Sequence, residues 1–194
     1  MKKYLIITIS FFSLFGCKNK EDAEKKNSEI ITEEKYTGII DNKLVYKLIN
    51  QVISENKLYK NCDAIIDRKT FILTNGDEFL LKVIDTVFSE NDKKFIVRQY
   101  KNGDIFILNQ KLIKNKKIIE IDTTINTEKQ RTRFWKKIAK ENNCVGYISI
   151  PLFNLKKNKA IIECKVYRES GIFLYKINEN NKWELSRTLQ RLIE

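Results

Sequence analysis

The sequence predicts a single α+β domain, with helices in the N-terminal half and an antiparallel four-strand meander at the C-terminus. Three observations carry this. Apolar residues recur at helical spacing in several stretches between residues 42 and 141. From Val145 onward the period changes to two, as in strands with one buried face. The connections between those later runs are short and rich in Asn, Lys and Gly, as hairpins require. Helices first and strands last is an α+β order, whereas regular alternation would favour a parallel sheet.

The elements follow in order. Asp41 precedes Leu44, Val45, Leu48, Ile49, Val52 and Ile53. These share one face at ~100° per residue, so a helix is expected over 42–58 with Asp41 as N-cap. Residues 69–74, with Phe71, Ile72 and Leu73, suit a short strand before an Asn75-Gly76 turn. Phe79, Leu80, Val83, Ile84 and Val87 return to helical spacing. Ser89-Glu90-Asn91-Asp92 reads as a new helix start, carried on by Phe95, Ile96, Gln99 and Tyr100 until Asn102-Gly103 stops it. Residues 104–126 are extended in character. Thr127 with Gln130 makes a capping box for a helix reaching about Glu141. Four strands are then expected at 145–150, 159–168, 171–178 and 182–188, with Ser170-Gly171 marking one turn and 178–181 the last. No internal repeat is visible.

The chain has 194 residues, 37 Lys+Arg against 25 Asp+Glu, and no histidine. The missing histidine removes Ser-His-Asp and Cys-His nucleophile pairs and every His-ligated metal site. With 42% hydrophobic residues, wholesale disorder is not expected.

The N-terminus is the most informative stretch. Lys2 and Lys3 precede an apolar run from Tyr4 to Phe15, too short for a membrane span of ~20 residues. It ends in Leu14-Phe15-Gly16-Cys17, which resembles the bacterial lipobox, with Leu at −3, a small residue at −1 and Cys at +1. The resemblance implies a lipoprotein signal peptide at 1–16, cleavage before Cys17 and acylation of Cys17. Several acyl chains at ~0.8 kcal/mol per buried CH₂ make a stable anchor. Lys18, where enteric lipoproteins retained at the inner membrane carry Asp, points by the same resemblance to the outer membrane. Lys20-Glu21-Asp22 resembles the short export signal of surface lipoproteins, so the periplasmic face and the cell surface both stay open. Residues 17–37 have few apolar side chains and read as a polar tether. Residues 38–194 then form the single globular domain, with 30 basic and 19 acidic side chains, about +11.

A second resemblance covers about residues 80–190. Residues 146–153, 158–162, 171–176 and 181–183, with Phe88 to Asp92 and Phe95, Ile96 and Gln99, are similar to a group of uncharacterised small bacterial lipoproteins and secreted proteins. It implies a shared fold and no known activity. The cysteine-rich hairpin common in that group is absent between Val166 and Gly171.

Candidate chemistry is sparse. Cys62, Cys144 and Cys164 allow three pairings; buried thiols are the favoured reading, and Cys62–Cys144 is the pair expected if one forms. Glu120, Asp122 and Glu163 lie on expected strands, where a carboxylate usually faces solvent, and nothing marks two of them as an acid/base pair. No phosphate loop, metal-ligand spacing or cofactor motif appears. The aromatic residues of the expected sheet read as core and cross-strand packing. On the helix at 128–141, Phe134, Trp135, Ile138 and Ala139 cluster on one side, while Lys129, Arg133, Lys136, Lys137 and Lys140 cluster on the other. That stripe is a solvated face or an anion-facing surface. The expectation is an outer-membrane lipoprotein that is not an enzyme: a binding module for an envelope protein or an anionic lipid surface, without cofactor or nucleic acid. The alternatives are a carboxylate-based hydrolase acting on envelope polymers, or an assembly factor of an envelope complex.

Overall fold

Asp41 opens the first helix. Its Oδ1 accepts the Lys43 N–H at 2.8 Å, satisfying one of the orphan donors of a helix start. Helix α1 (Asn42–Glu55) buries Val45, Leu48, Ile49, Val52 and Ile53, and Tyr46 with them. It ends short of the expected residue 58. Asn56 leaves the helical region there and caps a 3₁₀ turn, Lys57–Tyr59, with its own side chain. The computed structural model describes residues 39–67, 76–103, 108–121 and 124–193. The expected signal, Cys17, the tether and the strand at 69–74 lie outside these residues.

The remaining elements are β1 (Ala64–Asp67), α2 (Gly76–Ile84), α3 (Glu90–Asn102), β2 (Lys117–Glu120), α4 (Glu128–Glu141), β3 (Val145–Ile148), β4 (Leu152–Phe153), β5 (Lys159–Val166), β6 (Glu169–Ile177) and β7 (Trp183–Ile193). Gly76 is the first helical residue of α2 and not part of a turn. Ser89 caps α3 by accepting from Asp92 N–H.

Among the described residues the strands form one seven-stranded sheet in the order β2-β1-β3-β5-β6-β7, with β4 pairing to β5. Its C-terminal part is the expected meander: β3 with β5, β5 with β6 and β6 with β7 are all antiparallel. Its other part was not legible. β1 and β2 are parallel to each other, and β1 is parallel to β3. The Ala64-Ile65-Ile66 run is short and covered on both faces, so it shows no period-two signature.

The two faces are covered unequally. Among the described residues, α1 packs on Ile162 and Cys164 of β5, Phe173 and Tyr175 of β6, and Trp183 of β7. On the opposite face, Leu80 and Ile84 of α2 and Ile96 of α3 meet Leu152, Ile161, Ile172 and Leu174. Beside them Ile138 of α4 meets Ala64 and Ile119. Gln99 of α3 stitches β4 in place. Its Oε1 accepts from Phe153 N–H at 2.8 Å and its Nε2 donates to Phe153 O at 2.6 Å.

One turn is corrected. The β5–β6 hairpin turns at Tyr167-Arg168, and Ser170-Gly171 lies inside β6. Gly171 is needed there for space. A Cβ would come within 2.7 Å of the Phe173 ring and 3.1 Å of Gln190 O. Gly146 is a similar case, because its Cβ would lie 2.7 Å from the Tyr59 ring. That close approach lets Tyr59, fully buried, donate its hydroxyl hydrogen to Tyr147 O.

Candidate functional site

Helix α4 is positioned by a complete capping box. Thr127 Oγ1 accepts from Gln130 N–H, and Gln130 Oε1 accepts from Thr127 N–H at 3.0 Å. Starting the helix there fixes its rotation, so Phe134 and Ile138 face Ala64 and Ile119. Lys129, Arg133, Lys136, Lys137 and Lys140 are all exposed. At 1.5 Å per residue they form a row of ~16 Å. Lys137 Nζ lies 3.9 Å from Glu141, an exposed i,i+4 pair worth ~0.3–0.5 kcal/mol. The row can present positive charge to an extended anion.

Cys62 and Cys144 are joined as a disulfide. This corrects the reading of three buried thiols. Both cysteines sit just before parallel neighbours, because Ala64 of β1 pairs with Val145 of β3. The two strands start at the same level, so the residues preceding them meet. Asp63 reinforces the junction: its N–H donates to Cys144 O at 3.0 Å and its Oδ2 accepts from Asn143 N–H at 2.8 Å. The signal that could have found the pair was the strand at β1, which sequence reasoning did not see.

Cys164 is the remaining described thiol. It is fully buried. Burial pushes it up to about 12, against a smaller lowering by its hydrogen bond with Tyr59. A thiol held neutral and out of reach of solvent packs and does not attack. The same burial raises the Tyr59 and Tyr175 hydroxyls.

The candidate carboxylates are dispersed. Glu120 is exposed at the end of β2, and Asp122 lies outside the described residues. Glu163 is buried, against the expectation of a solvent face, because β5 is central and covered on both sides. Among the described residues no cluster of three or more His, Cys, Asp or Glu side chains could hold a metal ion. Lys93, almost covered, bridges Asp85 at 2.5 Å and Glu90 at 2.7 Å. These two hydrogen bonds, Asp85 first, raise its pKa, and the trio ties the end of α2 to the start of α3.

A groove of about 720 Å³ opens where α1 ends over the β6–β7 hairpin. Phe173 and Tyr175 line it beside Leu185 and Ile193. Its charges are mixed, with Glu55 and Glu169 against Lys57, Arg168 and Arg191. Glu169 and Arg191 pair with each other. Nothing in that arrangement selects one sign of ligand. Neither Glu120 nor Glu163 lines the groove.

No family model, no curated protein and no solved structure matches the chain. No helix among the described residues is long and apolar enough to cross a membrane.

Proposed function

We propose that the chain is an outer-membrane lipoprotein anchored through acylated Cys17, whose domain is a non-enzymatic binding module for a protein partner or an anionic envelope surface. The Leu14-Phe15-Gly16-Cys17 sequence, after two lysines and an apolar run, carries this reading. The likeness of residues 80–190 to small bacterial lipoproteins belongs to the same proposal. Two structural observations support it. Disulfides persist in the cell envelope and are rare in the cytosol, and the domain has one. The basic row on α4 is fully presented to solvent, as an anion-facing surface requires.

Metabolic labelling with a palmitate analogue tests the anchor. The parent chain should take up label and fractionate with the outer membrane, and Cys17→Ser should do neither. Label retained by the Cys17→Ser variant would overturn the proposal.

A further inference from the structure

Strand β7 ends the sheet, and among the described residues no strand pairs with its outer edge. It has 11 residues, against a usual strand length of ~5–6. Its apolar side chains are on display: Leu185 is 52% exposed, Leu192 51% and Ile193 76%. A long open edge of this kind is a template for another strand. Charges and bulges commonly blunt such an edge, and β7 has both. The positions of its bulges show which strand fits it.

The register with β6 assigns each β7 residue to a face. Leu185 and Thr188 stand opposite Tyr175 and Phe173, on the α1 face, and Trp183, Arg191 and Ile193 share that face. Glu184, Arg187 and Leu192 take the other face, together with Leu189, which packs on the α2 side. In an ideal strand the two faces alternate strictly. Two register shifts, which leave Ser186 and Leu189 without partners on β6, break that alternation on either side of Thr188. The outcome is a pattern symmetric about Thr188: Trp183 with Ile193, Leu185 with Arg191 and Glu184 with Leu192 each share a face. Antiparallel neighbours must match face for face. A second copy of β7 does so when a two-fold axis passes through Thr188. Moving the axis by one residue either way sets opposite faces together.

We propose that two copies of the chain pair through β7, antiparallel and centred on Thr188, into one continuous sheet. The contact is isologous, so it closes at two. Gln51 donates to Trp183 O, so the paired stretch runs from Glu184 to Leu192. Thr188 meets its own copy, Leu185 meets Arg191, and Arg187 meets Leu189. No two like charges are opposed, and the arginine stems lie over leucine. Ile193 becomes a diagonal neighbour of the partner's Leu185, so each covers the other. The charges of the groove under α1 agree with this arrangement. Glu55 lies at its Leu185 end, while Arg168 and Arg191 lie at the other, where Glu169 offsets one of them. The two-fold sets the acidic end of one groove beside the basic end of the other. The pairing is independent of the anchor, so the labelling experiment and this one fail separately.

The test is sedimentation equilibrium of the unacylated full chain (Cys17→Ser). At ~100 µM it should be mostly dimer, a dissociation constant of ~10 µM or tighter. Thr188→Arg sets two like charges against each other on the axis. Thr188 is exposed, so this variant should be monomeric with an unchanged far-ultraviolet circular dichroism spectrum. Thr188→Cys alone should cross-link two chains on mild oxidation, because opposed Cβ atoms lie ~4.5–5.5 Å apart, near disulfide distance. Leu185→Cys, which faces Arg191 of the other copy, should not cross-link. The cross-linking arm decides the matter even where Thr188→Arg fails to fold. A monomeric parent, association that survives Thr188→Arg, or cross-linking of Leu185→Cys as readily as Thr188→Cys would overturn the proposal.

Discussion

At Cys164 the environment decides what a reactive group becomes. The same side chain at a helix start beside a cation would be a nucleophile, but here it is buried with its proton held to about pH 12 against an ordinary 9.0. The sign of the linkage follows. The unfolded chain gives up this proton first, so Cys164 contributes fully below pH 9 and its contribution is lost as pH rises from 9 towards 12. The slope is ~1.4 kcal/mol per pH unit for one proton. The raised Tyr59, Tyr175 and Lys93 act in the same direction at higher pH. Urea midpoints measured from pH 7 to 10.5 should be flat to about 9 and then fall. Cys164→Ala should flatten the loss between 9 and 10, and parallel curves for the two chains would refute the assignment. The alternation of Ala160, Ile162, Cys164 and Val166 made this inward placement legible in the sequence. Glu163 was not legible, because alternation assigns a face and cannot say that both faces are covered.

Elements with their own local chemistry were the ones the sequence revealed. Asp41, Ser89 and the Thr127–Gln130 box each cap the helix they were expected to cap. Gln99 shows the opposite case. It sits on an apolar helix face, and only the structure reveals it serving the backbone of β4. Helix α4 carries the element-scale prediction. Its row of five positives costs little to remove, since Gln, Lys and Arg have similar helix propensity and the buried side is untouched. Replacing Lys129, Arg133, Lys136, Lys137 and Lys140 with Gln lowers the domain from about +11 to about +6. In the Cys17→Ser background, this change should weaken cosedimentation with phosphatidylglycerol vesicles, and added salt should mimic the loss. Each positive contributes ~1 kcal/mol near such a surface and fades over a Debye length of ~8 Å. Equal binding by both chains at low salt would make the row a solvated face.

For the whole molecule the disulfide is the largest single constraint. It spans a sequence separation of 82 residues that includes β1, α2, α3, β2 and α4. By loop-closure entropy it stabilises the fold by ~4.5 kcal/mol, above the usual ~2–4 because the loop is long. Cys62→Ala with Cys144→Ala should lower the urea midpoint without changing its cooperativity. An unchanged midpoint would show that strain cancels the entropic gain. The architecture explains why the meander was readable and the pairing of β1 was not. Hairpins are set by turns and alternation within ~20 residues, as at 178–181. A parallel pair depends on contacts across 80 residues that leave no local mark.

The burial of Cys164 also bears on how oxidation finds its partner. Three thiols can close in three ways, and two of those would trap Cys164 in a wrong bond. Cys164 lies within the meander, whose strand contacts are near in sequence, whereas Cys62 must search across the long loop. Local contacts form faster, so the C-terminal sheet acts as a protecting group that removes one thiol before the other two meet. Quenched oxidative refolding should show Cys164 shielded from alkylation before the 62–144 bond accumulates, and early traps rich in bonds to Cys164 would contradict this order.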